Sequence, residues 1–341
     1  MKKRRFFIRN IQAGNHLEIF LISAVAAILV IRGFLELTGY PKLGNDDLHI
    51  AHMLWGGLLM LVSIIILLTF LGKTAENFSA IVGGIGFGTF IDEVGKFVTQ
   101  DNNYFYEPSV AIMYAIFILI FLIFRGIQAG WHRSQMEYLM NAIRELEEIA
   151  LHDLDNEEKK RIQEYLSKSN PGDPLVMELE NVLTHTDLVP VPSPGWFWQL
   201  KDFLRSRYRK ITYLKRFHRV VVLFFIFEAL ASFSYVIKLV IFEQSGELTF
   251  VDWAQLISSM VSALFVLWGI AFIRKSRLVA FRMFERSILV SIFVTQVFVF
   301  YEEQFGAIVG LIADLLILMA LRFMIEHEER SLIENKISTG S

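Results

Sequence analysis

Apolar residues in this chain come in blocks about 20 long, separated by short polar stretches. A hydrocarbon core about 30 Å thick needs a helix of that length. Eight such blocks are legible, at roughly 17–38, 49–71, 79–98, 108–127, 219–242, 253–273, 284–303 and 305–325. The third is the weakest, because it holds Gly83, Gly84, Gly86 and Gly88 and ends in charge. Gly84 and Gly88 form a small-xxx-small pair suited to close helix packing. The short Tyr301–Gln304 connection makes the last two blocks a tight hairpin.

The pattern changes over residues 128–218. Tyr138 to Leu151 places Leu139, Ile143, Leu146, Ile149 and Ala150 at helical spacing. Asp155 followed by Glu158 reads as a capping box opening a second helix, with Ile162, Tyr165 and Leu166 on one face. Pro171 and Pro174 precede a short third helix, about 174–184, and Pro190, Pro192 and Pro194 make a stiff linker. From about 194 to 212, Trp196, Phe197, Leu200, Phe203 and Leu204 form an apolar face beside a basic one. That is the signature of a helix lying on anionic lipid. The stretch leads directly into an apolar block, which favours a membrane surface over nucleic acid as its partner.

Composition agrees: 54% of the 341 residues are hydrophobic and 20% charged. The expected fold is therefore all-α and polytopic. With no cysteine, disulfides, thiolate metal sites and cysteine nucleophiles are excluded. The first block lacks a small-residue cleavage site and reads as a span, not a signal peptide. The distribution of charge then orients the chain. Lys and Arg gather at Lys2–Arg5, Lys73, Arg125, Arg133, Arg205–Arg219, Arg274–Arg286 and Arg322. The alternate loops carry Asp46, Asp47, Asp101, Glu107, Glu243 and Glu247 against Lys42. The positive-inside rule places both termini and residues 128–218 in the cytoplasm. Residues 1–127 and 219–341 then hold four spans each, as two parallel repeats about an axis along the membrane normal.

Candidate chemistry sits at matching depths in the two halves. Asp46, His49 and His52 recur every three residues at the start of the second block. Glu36 ends the first block, and Asp92 and Glu93 end the third. Imidazoles with carboxylates suit Zn, Fe, Mn or Cu. The same residues also suit a buried polar or proton-handling network, or a structural interface in which Lys96 neutralises Asp92 and Glu93 on one face. The second half offers Asp252, Gln255, Glu302 and Glu303, with Gln255 where His52 would stand. Glu228 and Asp314 are further acids inside spans, with Arg32 and Lys238 as prospective partners. Intramembrane ionisable groups face cavities or one another because lipid exposure is costly. The loop Thr99–Pro108 is dense in oxygen donors (Asp101, Asn103, Glu107) but lacks the EF-hand spacing. P-loop, G-x-S-x-G, HExxH and dinucleotide fingerprints are absent.

The run Phe-Ile-Asp-Glu-Val-Gly-Lys-Phe-Val-Thr (Phe90–Thr99), followed by Asp-Asn-Asn-Tyr-Phe-Tyr-Glu-Pro (Asp101–Pro108), resembles a block of uncharacterised bacterial integral-membrane proteins. The resemblance covers about the first four spans, most clearly residues 83–115. It implies a bacterial inner-membrane location and carries no activity. The expected function is transport or binding of a cation, proton or metal at the extracytoplasmic side. The alternatives are a metalloenzyme acting on a lipid or quinone, and a non-catalytic scaffold or sensor. Either a second copy or a cytoplasmic protein fits as partner.

Overall fold

The computed structural model describes residues 8–38, 52–99, 106, 108–129, 133–151, 153–189, 203, 206, 207, 220, 221, 223–225 and 249–339. Every regular element among them is helical. In chain order these are α1 (Ala13–Thr38), α2 (His52–Thr69), α3 (Lys73–Ile91), α4 (Val94–Val98), α5 (Ser109–Ala129), α6 (Gln135–Glu145), α7 (Glu147–Ala150), α8 (Asn156–Ser167) and α9 (Pro174–His185). They continue with α10 (Phe250–Phe272), α11 (Arg277–Val290), a π-turn (Ser291–Thr295), α12 (Gln296–Glu303), a 3-10 turn (Gln304–Ala307) and α13 (Ile308–Thr339).

Five stretches are long and apolar enough to cross a membrane: α1, α2, Ser109–Ile127 of α5, α10, and the 53-residue run Arg277–Glu329. They are compatible with an integral membrane protein. Their large apolar side chains face outward; Val30, Leu37, Leu68, Leu264 and Val309 are all exposed. Contiguous outward apolar surface of this kind needs lipid or protein to cover it. The run Arg277–Glu329 reverses at Gln304, whose φ of 50° is the one positive value on a non-glycine residue among the described residues. Arg282 meets Glu329 at 2.6 Å, and Arg322 meets Glu285 at 3.2 Å. The two arms therefore lie antiparallel, as the short Tyr301–Gln304 connection predicts. Most of the fifth expected span, 219–242, and most of the 194–212 helix fall outside the described residues.

The chain forms two compact units, Met1–Phe97 with Leu119–Pro194, and Val98–Ile118 with Gly195–Ser341. In the first unit α3 lies between α1 and α2. Its glycines explain how. A Cβ on Gly84 or Gly88 would strike the backbone oxygen of Phe20 or Ala24 on α1. A Cβ on Gly86 would lie 2.8 Å from Gly56 O and from Met60 N on α2. Removing side chains on these faces lets three helix backbones approach closely, the arrangement used where lipid offers no hydrophobic drive for association. Ser63 and Ser79 then clasp α2 to α3. Their hydroxyls are 2.8 Å apart, and each donates to the other's carbonyl, at 2.8 and 2.7 Å. In the second unit Ser262 and Ser287 clasp α10 to α11 in the same way, with 2.7 Å between hydroxyls and 3.3 and 3.1 Å to the carbonyls.

Polar helices complete the first unit. Ser134 and Glu137 form a capping box at the start of α6, and Asp155 and Glu158 form one at α8. Leu139, Ala142, Leu154, Ile162, Tyr165, Leu166, Val176 and Leu183 make their shared core. This small domain is tied to the starts of α1 and α3. Arg9 donates to both oxygens of the buried Glu137, at 3.1 and 3.2 Å. Asn141 accepts from Ile11 N at 2.9 Å and donates to Arg9 O at 2.8 Å. Lys73 reaches Glu145 at 2.9 Å and Glu158 at 2.7 Å, while Arg144 and His16 pair with Glu76. Burial alone would push the Lys73 ammonium down, but Glu145 and Glu158 outweigh it and hold it above its ordinary value.

The Arg9 guanidinium beside Glu137 holds that carboxyl down at about 2 from an ordinary 4.5. A depressed carboxylate adds stability that is complete above the unfolded value and disappears as pH falls through the folded one. The tie should therefore weaken between pH 4.5 and about 2. Its loss should cost roughly 1–2 kcal/mol, since water around the partly exposed Arg9 screens the pair. Hydrogen exchange of α6 against pH measures this. Arg9→Ala should flatten the profile across that window, and an acid-sensitive profile that survives the substitution would assign it to another group.

Candidate functional site

α3 ends where its carboxylates begin. Asp92 closes the helix, its backbone N–H donating to Gly88 O at 3.1 Å, and Glu93 follows in the turn before α4. Because Gly84, Gly86 and Gly88 draw α1 and α2 onto α3, the two acids are enclosed instead of meeting solvent. Both side chains are 0% exposed. Each acid finds its partner on a different neighbour.

Arg32, in α1, supplies the first. Its Nε donates to Asp92 Oδ1 at 2.6 Å, and its Nη2 donates to the Asp92 carbonyl at 3.0 Å. One guanidinium thus neutralises the carboxylate and satisfies a backbone oxygen at the helix end. The start of α2 supplies the second. Glu93 Oε2 accepts from the Met53 N–H at 2.9 Å, and Oε1 lies 3.4 Å from His52 Nδ1. The first N–H groups of a helix lack internal acceptors and carry a partial positive charge. Glu93 therefore caps α2 from the neighbouring helix.

The structure thus brings His52, Asp92 and Glu93 together, as their depth suggests, and adds Arg32 as the cation. Glu36 lies one turn beyond Arg32 and is exposed. Asp46, His49 and the side chain of Lys96 fall outside the described residues, as do Asp101, Asn103, Glu107, Glu228 and Lys238. Among the described residues, no three His, Asp or Glu side chains are grouped as metal ligands.

The second half is built differently. Thr249 N and Oγ1 donate to Asp252 at 2.8 and 2.7 Å, so Asp252 belongs to the capping box that starts α10. Glu302 and Glu303 are exposed at the end of α12. Gln255 Oε1 is buried with no hydrogen-bond partner among the described residues. Asp314 is buried, and accepts from Ser291 at 2.8 Å and from Gln296 at 3.2 Å. Asp314 stands out in the sequence as an acid inside a span, whereas neither partner does. The signal was a serine and a glutamine five residues apart inside an apolar block.

Comparison with protein-family models, curated proteins and solved structures gave no match.

Proposed function

We propose that this is a multi-pass bacterial inner-membrane protein that binds or moves a small cation, a proton or a metal ion, through the cluster of Arg32, His52, Asp92 and Glu93. The carrying observation is the pair of adjacent, fully buried carboxylates. A fold that needed only a stable helix end would place one or no acid there, because each costs several kcal/mol to desolvate. Glu36, Asp46 and His49 are proposed as its further donors, and Zn, Fe or Mn is the metal class that such donors suit. In this reading both termini and α6–α9 are cytoplasmic, and the Asp92 end of α3 faces outward. The acid-rich loops support the orientation, and the recurring serine clasp supports two parallel four-helix repeats. The basic residues around 194–212 suit anionic lipid.

Purified protein should be compared with His52→Ala for metal content and, in proteoliposomes, for proton uptake. A metal lost in the variant supports the metal branch. Background metal with altered proton uptake supports the proton branch. No change in either makes the cluster purely structural and removes the proposal. Orientation has its own check. Lys160→Cys, in a chain with no other cysteine, should resist an impermeant thiol reagent in spheroplasts and react after lysis. Labelling in intact spheroplasts would invert the topology.

A further inference from the structure

The second half holds a separate buried centre around Asp314. It lies seven residues past the turn at Ala307, about 10 Å along α13 at 1.5 Å per residue. Opposite it, α11 passes into the π-turn Ser291–Thr295. There the Gln296 N–H bonds to Ser291 O instead of to Ile292 O, its partner in a regular α-helix. The Tyr114 hydroxyl donates to that Ile292 carbonyl at 2.7 Å, and its ring stacks on Phe300 with centroids 4.4 Å apart. The extra residue in the turn brings Ser291 and Gln296 to the same carboxylate oxygen. π-turns often mark functional sites, because they persist only where something compensates the poorer helix geometry.

The hydrogen-bond inventory is unequal. Both donors, Ser291 Oγ and Gln296 Nε2, go to Asp314 Oδ2. Gln296 is 7% exposed, and its Oε1 has no donor among the described residues. No described Lys, Arg or His forms an ion pair with Asp314. Tyr114 is the titratable group facing it from α5. The charged pairs Arg322–Glu285 and Arg282–Glu329 lie toward the other end of the hairpin, and Glu302 and Glu303 at its turn.

One missing hydrogen would complete this inventory. The existing Nε2-to-Oδ2 bond is half of the cyclic pairing between a carboxylic acid and an amide. The other half needs a proton on Oδ1, donated to Oε1. We infer that Asp314, Gln296 and Ser291 form an intramembrane proton-binding site, in which the Asp314 carboxyl is held protonated against the Gln296 amide. A sodium ion is the competing occupant. It would need more oxygen ligands than the three side chains supply, and Ser291 already directs its hydrogen at the carboxylate.

Infrared difference spectroscopy of the full chain in lipid tests this. At neutral pH the protein should show a protonated-carboxyl C=O stretch that shifts in D2O and disappears in Asp314→Asn. Gln296→Leu keeps the carboxyl but removes its amide partner, so the band should remain and move to higher frequency. This variant carries the test if Asp314→Asn fails to fold. Three results would overturn the site: no such band at neutral pH, a band unchanged in both variants, or a band abolished by adding NaCl at constant pH. The last would assign the centre to sodium.

Discussion

Arg32→Leu should be among the most damaging single substitutions in this chain, costing about 3–5 kcal/mol of stability. The change leaves the Asp92 side chain fully buried and without the guanidinium that lies 2.6 Å from it. It also removes the Nη2 donor that reaches the Asp92 carbonyl at 3.0 Å, at the end of α3. Asp92→Leu alone should be comparably harmful, since it takes the carboxylate away from a guanidinium that is only 13% exposed. The double variant Arg32→Leu/Asp92→Leu should recover much of the loss, because both desolvation costs disappear together. Thermal unfolding in detergent of the two singles and the double decides it. Additive losses would mean that the two residues act independently and that the pair is not what stabilises this end of the bundle.

The glycines of α2 and α3 give the second large effect, and it should differ between adjacent residues. At Gly56 a new methyl would meet Gly86 O and Phe90 N at 2.6 Å, both backbone atoms that cannot swing aside. Gly56→Ala should therefore force α2 away from α3, breaking the Ser63–Ser79 clasp and costing several kcal/mol as overpacking does. At Gly57 nothing lies within 4 Å. Gly57→Ala should be neutral, or stabilising by up to about 1 kcal/mol from helix propensity. Folded yield and melting temperature of the two variants, side by side, test the packing of the whole first bundle. Equal behaviour would mean that α2 does not sit on α3 in this register.

Much of this arrangement was legible in the order of residues because it is encoded locally. The helices follow from apolar periodicity. The Asp155–Glu158 capping box follows from two residues three apart. The hairpin after α12 follows from a connection too short for anything else. Gly84 and Gly88 announced a close approach, although not that α1 would be the partner. What remained hidden depends on distant pairs. Arg32 and Asp92 are 60 residues apart, and nothing in the sequence distinguishes Asp92 from Glu93 as the partner of the arginine. The role of Glu93 as a cap for α2 depends on where that helix begins in space. The π-turn was hidden for another reason. Ser-Ile-Phe-Val-Thr has no residue that forbids a regular helix, so the extra residue is set by what the turn packs against, including Tyr114.

The serine clasps have a mechanical consequence. In each hairpin two hydroxyls and two carbonyls interlock at one level, Ser63 with Ser79 and Ser262 with Ser287. Sliding one helix past the other by a single turn, about 5.4 Å, would break every one of these bonds at once, in surroundings with no water to replace them. Shear between the paired helices is therefore blocked, while tilting of a whole pair costs none of these bonds. Any working motion of this protein should then move α2 with α3, and α10 with α11, as rigid levers.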